Sequence, residues 1–247
     1  MLTERRQEEI VRLVYERESI TVAELKEILN TSESTIRRDI ITLDKEGRLT
    51  KVFGGAIALH PAQIVNKELS MVQKQELQTT EKQAIARYAA SLIEPDDCVY
   101  LDAGTTTGWM IEYIRQEKAT YITNALSHAK RLADKGFSVI LIGGEPKSST
   151  DAIVGGEAVL NLQKYHFSKG FFGVNGVDRL SGFTTPDVKE AVKNTQPAHR
   201  YFLTTSSKFG EVYAVTFAGF EGGTILTEDN VSEVLPKSIE IINVTQQ

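Results

Sequence analysis

Apolar side chains in the first sixty residues recur every three or four positions, in three short stretches separated by polar residues. This is the period of an α-helix with one buried face. We therefore predict three helices that share a small core. Their buried positions should be Ile10, Leu13 and Val14 in the first helix, Val22, Leu25, Ile28 and Leu29 in the second, and Ile36, Ile40 and Leu43 in the third.

Residues that start or stop helices stand at the edges of these stretches. After the third helix, residues 48–56 alternate in polarity and close on a glycine pair, which predicts a small hairpin, or wing. The predicted capping residues are Thr3, Thr21 (with Glu24 in a capping box) and Ser32, with Gly47 ending the third helix.

The pattern changes after residue 58. Residues 59–78 are polar and rich in Gln, Lys and Glu, which is typical of a linker that contains some helical turns. From residue 79 to 247, beginning with a helix that Thr80 would cap, short apolar runs alternate with helical segments, which predicts a doubly wound, mostly parallel sheet in an α/β domain. The predicted strands are Cys98 to Leu101, Tyr121 to Thr123, Val139 to Ile142, Gly170 to Val174, Tyr201 to Thr204, Thr224 to Leu226 and Ile239 to Val244.

Composition narrows the class of protein. With 41% hydrophobic and 25% charged residues, the chain is globular, and disordered or collagen-like classes are excluded. The single cysteine, Cys98, cannot form an internal disulfide and indicates a reducing compartment. No apolar run is as long as a membrane span, about 18 residues, and the first ten residues are charged where a signal peptide is apolar. We expect a cytoplasmic protein without a membrane partner.

The polar face of the third helix predicts contact with double-stranded DNA. The net charge is −5, and residues 1–60 hold ten basic and eleven acidic side chains, so binding must depend on where the charges point. A helix fits the major groove, small hydroxyls allow close approach, and arginine bonds guanine or phosphate with two donors. The predicted DNA-contacting residues are Ser32, Ser34, Thr35, Arg37 and Arg38, with Arg48 and Lys51 on the DNA backbone. We expect Asp39 to orient Arg37 or Arg38, or to form a surface ion pair.

Polar loops follow several of the predicted strands, and ligands of such sheets bind beyond the carboxyl ends of the strands. The first loop, residues 102–108, joins a strand to a helix with glycines and three threonines, which suits a phosphate group. The candidate ligand-binding residues are Asp102, Gly104, Thr105, Thr106, Thr107, Thr123, Asn124, Gly143, Gly144, Asn175 and Lys208.

Plainer interpretations stay open for each feature. Glycine, asparagine and threonine also serve ordinary turns and caps, and Lys208 can be a solvated surface lysine. Asp187, Glu190 and Lys193 can line the pocket or form a solvated helix face. Trp109 is expected to pack its helix. The four histidines lack metal-ligand spacing, so we expect neither a metal nor a cofactor.

The segment 32–40, Ser-Glu-Ser-Thr-Ile-Arg-Arg-Asp-Ile, and the later Gly54-Gly55-Ala56 resemble the helix-turn-helix signature of DeoR-type bacterial transcription regulators. The loops at 102–106, 123–124, 143–145 and 206–210 resemble that family's effector domain. The resemblance implies a fold similar to ribose-5-phosphate isomerase and a phosphorylated-sugar effector. Phe53 and Thr205 depart from the family, which commonly has histidine and aspartate there.

The sequence thus suggests a winged helix-turn-helix domain (1–58), a linker (59–78) and a sugar-phosphate-binding domain (79–247). Within the family the pattern most resembles repressors of fructose phosphotransferase operons, which implies fructose 1-phosphate as effector. Asp102 and Lys208 would fix the sugar and the 104–107 loop its phosphate. Because a single small DNA-binding domain binds DNA weakly, we expect a homo-oligomer, either a dimer or a tetramer. The alternatives are a sugar-phosphate isomerase-like enzyme, with Asp102, Asp178 or Glu190 as base, and an activator on the same scaffold.

Overall fold

The computed structural model describes residues 3–58, 63–64, 71–186, 197–231, 235–236 and 239–246. The chain divides into two compact units, residues 1–61 and 62–247. Asp187, Glu190 and Lys193, and half of the predicted linker, lie outside the described residues. None of the helices in the described ranges combines the length and the apolar composition needed to cross a membrane.

The first unit is a winged helix-turn-helix. Three helices pack around an apolar core in which every predicted position except Ile28 is buried. A three-stranded antiparallel sheet in the order β1-β3-β2 forms the wing. Its elements are α1 (Thr3–Arg17), β1 (Ser19–Thr21), α2 (Val22–Leu29), α3 (Glu33–Lys45), β2 (Thr50–Val52) and β3 (Gly55–Ile57).

Local signals in the sequence set most of these boundaries. Thr21 and Glu24 form the predicted capping box at α2, and the Ser32 hydroxyl accepts from the Thr35 amide at α3. Gly47 follows α3 with a φ of +67°, a left-handed conformation that suits glycine. Ile28 is 43% exposed, so its predicted burial is wrong. The second helix is only two turns long, and its buried residues are Val22, Leu25 and Leu29.

The second unit is an α/β domain. Its elements are β4 (Gln63–Ile64), α4 (Met71–Glu76), α5 (Thr79–Ser91), β5 (Cys98–Leu101), α6 (Thr105–Tyr113), β6 (Thr120–Thr123), α7 (Leu126–Asp134), β7 (Ser138–Leu141), β8 (Glu145–Lys147), β9 (Ala152–Val154), α8 (Gly156–Leu162), β10 (Lys169–Gly173), β11 (Gly176–Asp178), β12 (Gly182–Thr185), β13 (His199–Leu203), β14 (Glu211–Val212), β15 (Val215–Ala218), β16 (Gly223–Thr227) and β17 (Glu240–Asn243).

Within the described residues, a seven-stranded sheet runs in the order β17-β16-β13-β10-β5-β6-β7, with every pair parallel. All seven predicted strands are in it, which confirms the predicted fold class. One apolar cluster covers each face of the sheet, and Trp109 packs partly buried against one of them. The short antiparallel strands β8, β9, β11, β12 and β15 were missed by the sequence pattern.

The start of α5 differs from the prediction. The helix begins at Thr79, and the residue before it is Gln78, in a left-handed conformation (φ 51°) without a side-chain cap. Thr80 therefore does not cap α5. Gln78 forms the corner between α4 and α5, and this corner lies beside the cavity described next.

Candidate functional site

A cavity of about 350 Å³ lies at the carboxyl edge of the parallel sheet in the second unit. Loops that follow β5, β6, β10 and β13 reach it, together with the α4–α5 corner and the β8–β9 hairpin. Its wall consists of Lys74, Leu77, Gln78, Lys82, Ala103, Gly104, Thr105, Thr106, Asn124, Thr150, Ala152, Gly173, Val174, Asn175, Leu203, Thr204, Thr205, Ser207, Lys208, Glu211 and Tyr213. Six of the predicted ligand-binding residues are among them: Gly104, Thr105, Thr106, Asn124, Asn175 and Lys208.

Asp102 is buried beneath the first loop and is not part of the cavity wall. One carboxylate oxygen accepts from the Gly104 amide at 2.9 Å and from the Thr107 hydroxyl at 2.8 Å. The other accepts from the Gly173 amide at 2.8 Å. These bonds tie the loop after β5 to the loop after β10. Asp102 therefore shapes the loop, and the expectation that it touches the sugar is corrected.

The other predicted residues absent from the wall have local roles. The Thr107 hydroxyl lies 2.8 to 2.9 Å from oxygens of Asp102 and Gly104, so it faces the loop interior. The Thr123 hydroxyl accepts from the Ala125 amide at 3.1 Å, next to the start of α7. Gly143 and Gly144 precede β8 and are not part of the wall. The structure thus does not bring these four residues to the cavity wall, and the Thr107 and Thr123 hydroxyls are used by the loop and by the start of α7.

Gly104 places the start of α6 against the wall. It is the residue before the first helical turn, and Thr105 and Thr106 follow it in that turn. A Cβ atom on Gly104 would lie 2.9 Å from an Asp102 carboxylate oxygen and 3.3 Å from the Cα of Gly173. Only glycine permits this close approach of the two loops. The amides of a first helical turn have no partner inside the helix, so the cavity wall offers donors to an anion.

Three lysines also line the cavity, and burial lowers the pKa of two of them. Lys82 is only 5% exposed, and its ammonium donates to the carbonyls of Leu77, at 2.6 Å, and Lys74. Burial, then the nearby charges of Lys208 and Lys74, lower the pKa of Lys82 to about 8. Burial also lowers the pKa of Lys208, against the opposing effect of Glu211.

Sequence reasoning missed Lys74, Gln78, Lys82 and Ser207. One signal was available for Lys82, which lies three and seven residues before Ile85 and Ala89 and thus on the buried face of α5. A charged residue on an apolar face is rarely buried without a functional or structural partner. Lys74 and Gln78 lie in the stretch predicted as a linker. Polar residues are expected throughout a linker, so nothing in the sequence indicated that these two line a cavity.

The α4–α5 corner is bonded to the loop after β13. The Gln78 side-chain oxygen accepts from the hydroxyls of Thr205, at 2.8 Å, and Ser207, at 3.0 Å. The Glu228 carboxylate also binds this loop, because it accepts a hydrogen bond from the Ser206 amide at 2.9 Å. Thr205 thus uses its hydroxyl in a bond between two walls of the cavity.

The first unit exposes the polar face of α3 as predicted. Ser32, Ser34, Arg37 and Arg38 are exposed, and Arg37 lies 3.5 Å from Glu33. Thr35 is partly exposed, and Lys51 is exposed on β2. Arg48 lies 3.9 Å from Glu46. Phe53, at the tip of the wing, has no contact that covers it.

Asp39 faces the interior of the first unit, which corrects its expected role. Its side chain is buried, and it accepts from Arg6 Nε at 2.6 Å, Arg6 Nη2 at 3.2 Å and Gln7 Nε2 at 3.2 Å. These bonds raise the pKa of Arg6 above its ordinary value. Asp39 therefore joins α3 to α1 and orients neither Arg37 nor Arg38.

Comparison with known proteins identifies both units. Residues 6–62 match the DeoR-like helix-turn-helix domain, and residues 77–230 match the DeoR C terminal sensor domain. FruR of Bacillus subtilis (strain 168), named an uncharacterized HTH-type transcriptional regulator, is 41% identical over 234 residues, which cover 93% of this chain and 92% of that protein. A lactose phosphotransferase system repressor of Streptococcus mutans is 36% identical over 254 residues, 98% of this chain and 100% of that protein.

Solved structures resemble the chain more weakly. A ribose 5-phosphate isomerase A from Methanocaldococcus jannaschii aligns over 52% of this chain and 53% of its own, with 13% identity and a TM-score of 0.37, too low to carry an argument. The two domain matches and the nearly full-length relatives, in contrast, agree with the helix-turn-helix fold and with the motifs after the parallel strands. The chain belongs to the DeoR family of transcriptional regulators, with an N-terminal helix-turn-helix domain and a C-terminal sensor domain.

Proposed function

We propose that this protein represses a sugar uptake and catabolic operon and releases its operator when a phosphorylated sugar, fructose 1-phosphate, fills the cavity. In this proposal residues 1–58 bind DNA, residues 59–78 join the two domains and contribute Lys74 and Gln78 to the cavity wall, and residues 79–247 form the rest of the effector-binding domain. Its main support is the cavity wall, where the first turn of α6 and three lysines offer positive charge to one space. The names of the relatives, a lactose phosphotransferase system repressor among them, support the operon class.

The charges of the wall suit one phosphate monoester. Such a group carries about −1.5 to −2 charges at pH 7. Lys74, Lys82 and Lys208 oppose the single carboxylate of Glu211, which leaves about two positive charges in the wall. In our assignment, Gly104, Thr105 and Thr106 hold the phosphate through amides and hydroxyls, with Lys82 beside them. Asn124, Asn175 and Lys208 are left for the sugar.

DNA recognition in this proposal depends on α3. Its exposed hydroxyls and arginines enter the major groove, and Arg48 and Lys51 contact phosphates. Two or more copies in a homo-oligomer bind repeated half-sites. The sugar phosphate favours an arrangement of the copies that fits the operator less well, because a ligand shifts an equilibrium only by its different affinity for the two states.

Two alternatives are tested directly. An isomerase needs a base near a substrate C–H bond. Asp102 is buried, and Asp178 accepts from the amides of Leu180 and Ser181, so neither supports that mechanism. Proton exchange from fructose 1-phosphate or ribose 5-phosphate into solvent, catalysed by the protein, would favour the enzyme. An activator is distinguished by a promoter-reporter assay, in which deletion of the protein lowers expression instead of raising it.

The central experiment has two parts. First, a thermal-shift panel compares fructose 1-phosphate, fructose 6-phosphate, free fructose and inorganic phosphate, because a ligand that binds the folded state raises its melting temperature. Second, a gel-shift titration asks whether the best ligand releases the operator. We expect fructose 1-phosphate to give the largest shift and free fructose none. A panel without any response to phosphorylated sugars would refute the proposal.

Replacing Arg37 or Arg38 by alanine should weaken operator binding by about 1 to 3 kcal/mol for each two-donor contact that is lost. Both side chains are exposed on α3, so neither substitution removes core packing. Gel-shift titration measures the loss, and thermal shift should show unchanged effector binding. Arg87→Ala, an exposed arginine of the second unit, is the matched control. Unchanged operator affinity in both variants would place the DNA-reading face elsewhere.

Effector affinity should fall as the pH rises above about 8. The pKa of Lys82 is about 8 in the free protein, and a bound phosphate must raise it because the anion favours the charged amine. Binding above pH 8 therefore takes up a proton, and affinity declines by up to about tenfold per pH unit. Calorimetric titration from about pH 6.5 to 9.5 measures this. Lys82→Arg, whose charge does not titrate there, should flatten the profile. A parent profile that is already flat would exclude Lys82 from the phosphate site.

A further inference from the structure

One hydroxyl in the cavity wall has no hydrogen-bond partner among the residues that the structure describes. In the part of the chain that the structure describes, two buried side-chain polar atoms lack a hydrogen bond, Thr150 Oγ1 and His128 Nδ1. Thr150 is 4% exposed and lines the cavity, whereas His128 is not part of its wall. Buried polar groups are nearly always bonded, so an unbonded one beside a ligand cavity indicates a partner that arrives with the ligand.

Two hydrogen bonds to Asp151 hold the turn that carries Thr150. Asp151 adopts a left-handed conformation (φ 56°), which aspartate tolerates better than most residues. Its carbonyl accepts from the Leu126 amide at 3.1 Å, and its carboxylate accepts from the Ser127 amide at 2.7 Å. The β8–β9 hairpin is thus fixed to the start of α7. The Thr150 hydroxyl has no hydrogen bond to a described residue, although the neighbouring Asp151 is hydrogen-bonded to α7.

Asn124 completes the same side of the cavity. Its side chain accepts from the Tyr100 hydroxyl at 3.1 Å and donates to the Ile153 carbonyl at 3.2 Å. Both bonds fix the asparagine, and the second also holds the hairpin. Rotation of the Thr150 side chain between staggered positions breaks no hydrogen bond to a described residue, so no such bond holds its hydroxyl away from a ligand.

This side lies away from the loop that carries Lys208. Asn124 follows β6 and Lys208 lies beyond β13, and β5 and β10 separate these strands in the sheet. Three strand spacings amount to roughly 14 Å. The loop with Gly104 follows β5, between them. A sugar phosphate bound at the α6 terminus therefore has Thr150 on one side of it and Lys208 on the other.

We propose that Thr150 is a specificity-determining residue that hydrogen-bonds a hydroxyl group of the sugar part of the effector. This assignment rests on the proposed function and deepens it: the cavity selects a polyhydroxylated phosphate ester over a phosphate with an apolar substituent or none. Thr150 makes no contact with the phosphate itself. Its contribution is thus separable from that of Thr105, Thr106 and Lys82.

The test uses the full chain with Thr150→Val, which keeps the shape and removes the hydroxyl, and Thr150→Ser, which keeps the hydroxyl. Affinities for fructose 1-phosphate and for inorganic phosphate are measured by calorimetry. We expect Thr150→Val to weaken fructose 1-phosphate by about tenfold and Thr150→Ser by much less, with inorganic phosphate equally bound by all three proteins. Equal binding of fructose 1-phosphate by Thr150→Val and the parent would overturn the assignment.

The melting temperature without ligand separates recognition from a structural role. Removing a hydroxyl that has no partner costs no hydrogen bond, so Thr150→Val should melt at or above the temperature of the parent. Thr184→Val is the control, because the buried Thr184 hydroxyl donates to the Gly176 carbonyl and accepts from the Tyr213 amide. Its melting temperature should fall. A matching fall in Thr150→Val would overturn the assignment. A parent protein that binds no sugar phosphate would remove the proposed function itself.

Discussion

Replacing Thr105 by aspartate should abolish the response to the sugar phosphate and leave operator binding intact. Thr105 is the first residue of α6 and lines the cavity. A carboxylate about 4 Å from a phosphate charge costs about 4 kcal/mol at an effective dielectric constant of 20, or about a thousandfold in affinity. The helix itself should tolerate the change, since an acidic residue in the first turn is favourable. Gel-shift titration with and without fructose 1-phosphate measures both properties.

Thr105→Ser is the matched control for this variant, because it keeps the hydroxyl and adds no charge. It should release the operator at nearly the parent concentration of sugar phosphate. The melting temperature of Thr105→Asp without ligand should not be lowered. If the aspartate variant still releases the operator at the parent concentration, the phosphate binds somewhere other than the α6 terminus.

Replacing Asp39 by alanine should destabilise the first unit by about 3 kcal/mol and abolish operator binding as a consequence. Asp39 and Arg6 form a hydrogen-bonded ion pair whose side chains are 4% and 13% exposed. Removing one partner leaves the other charge largely buried without compensation, which typically costs about 3 to 5 kcal/mol. We take the lower end because Arg6 retains some contact with water. Chemical denaturation followed by helical circular dichroism measures the loss.

Two further variants show whether the ion pair is the cause. Glu33→Ala removes an exposed carboxylate from the same helix and should cost less than about 1 kcal/mol. The double variant Arg6→Met with Asp39→Leu removes both charges and should recover much of the stability, because apolar residues of similar size often replace buried ion pairs without loss. If Asp39→Ala costs no more than Glu33→Ala, the Arg6–Asp39 pair does not hold α1 against α3.

Regular structure with a strong local signal was predictable from the sequence. The strands of the parallel sheet are short apolar runs, and all seven of them were found because a sheet covered on both faces favours such runs. The caps at Thr21 and Ser32 were found because their bonds span only three residues. The short strands β8 and β11 carry no such pattern. Their three residues each gain stability from pairing with a neighbour that the sequence does not specify.

Side-chain roles that depend on distant partners could not be predicted. Asp39 lies beside Arg37 and Arg38 in the sequence, yet its partner Arg6 is 33 residues away. Asp102 has the chemistry to hold a sugar hydroxyl, but its carboxylate is already used by Gly173, 71 residues later. The sequence places the cavity correctly at the ends of the strands, since parallel topology dictates that edge. It does not reveal which polar groups there are already bonded.

The position of Trp109 in α6 offers an optical signal for pocket occupancy. It is the sole tryptophan of the chain, and it lies one helical turn after Thr105 and Thr106, partly buried against the core. An anion at the start of this helix changes the electric field along its axis, to which indole emission responds. Intrinsic fluorescence should therefore follow sugar-phosphate titrations without a label, and in the Thr105→Asp protein the same additions should leave the spectrum unchanged.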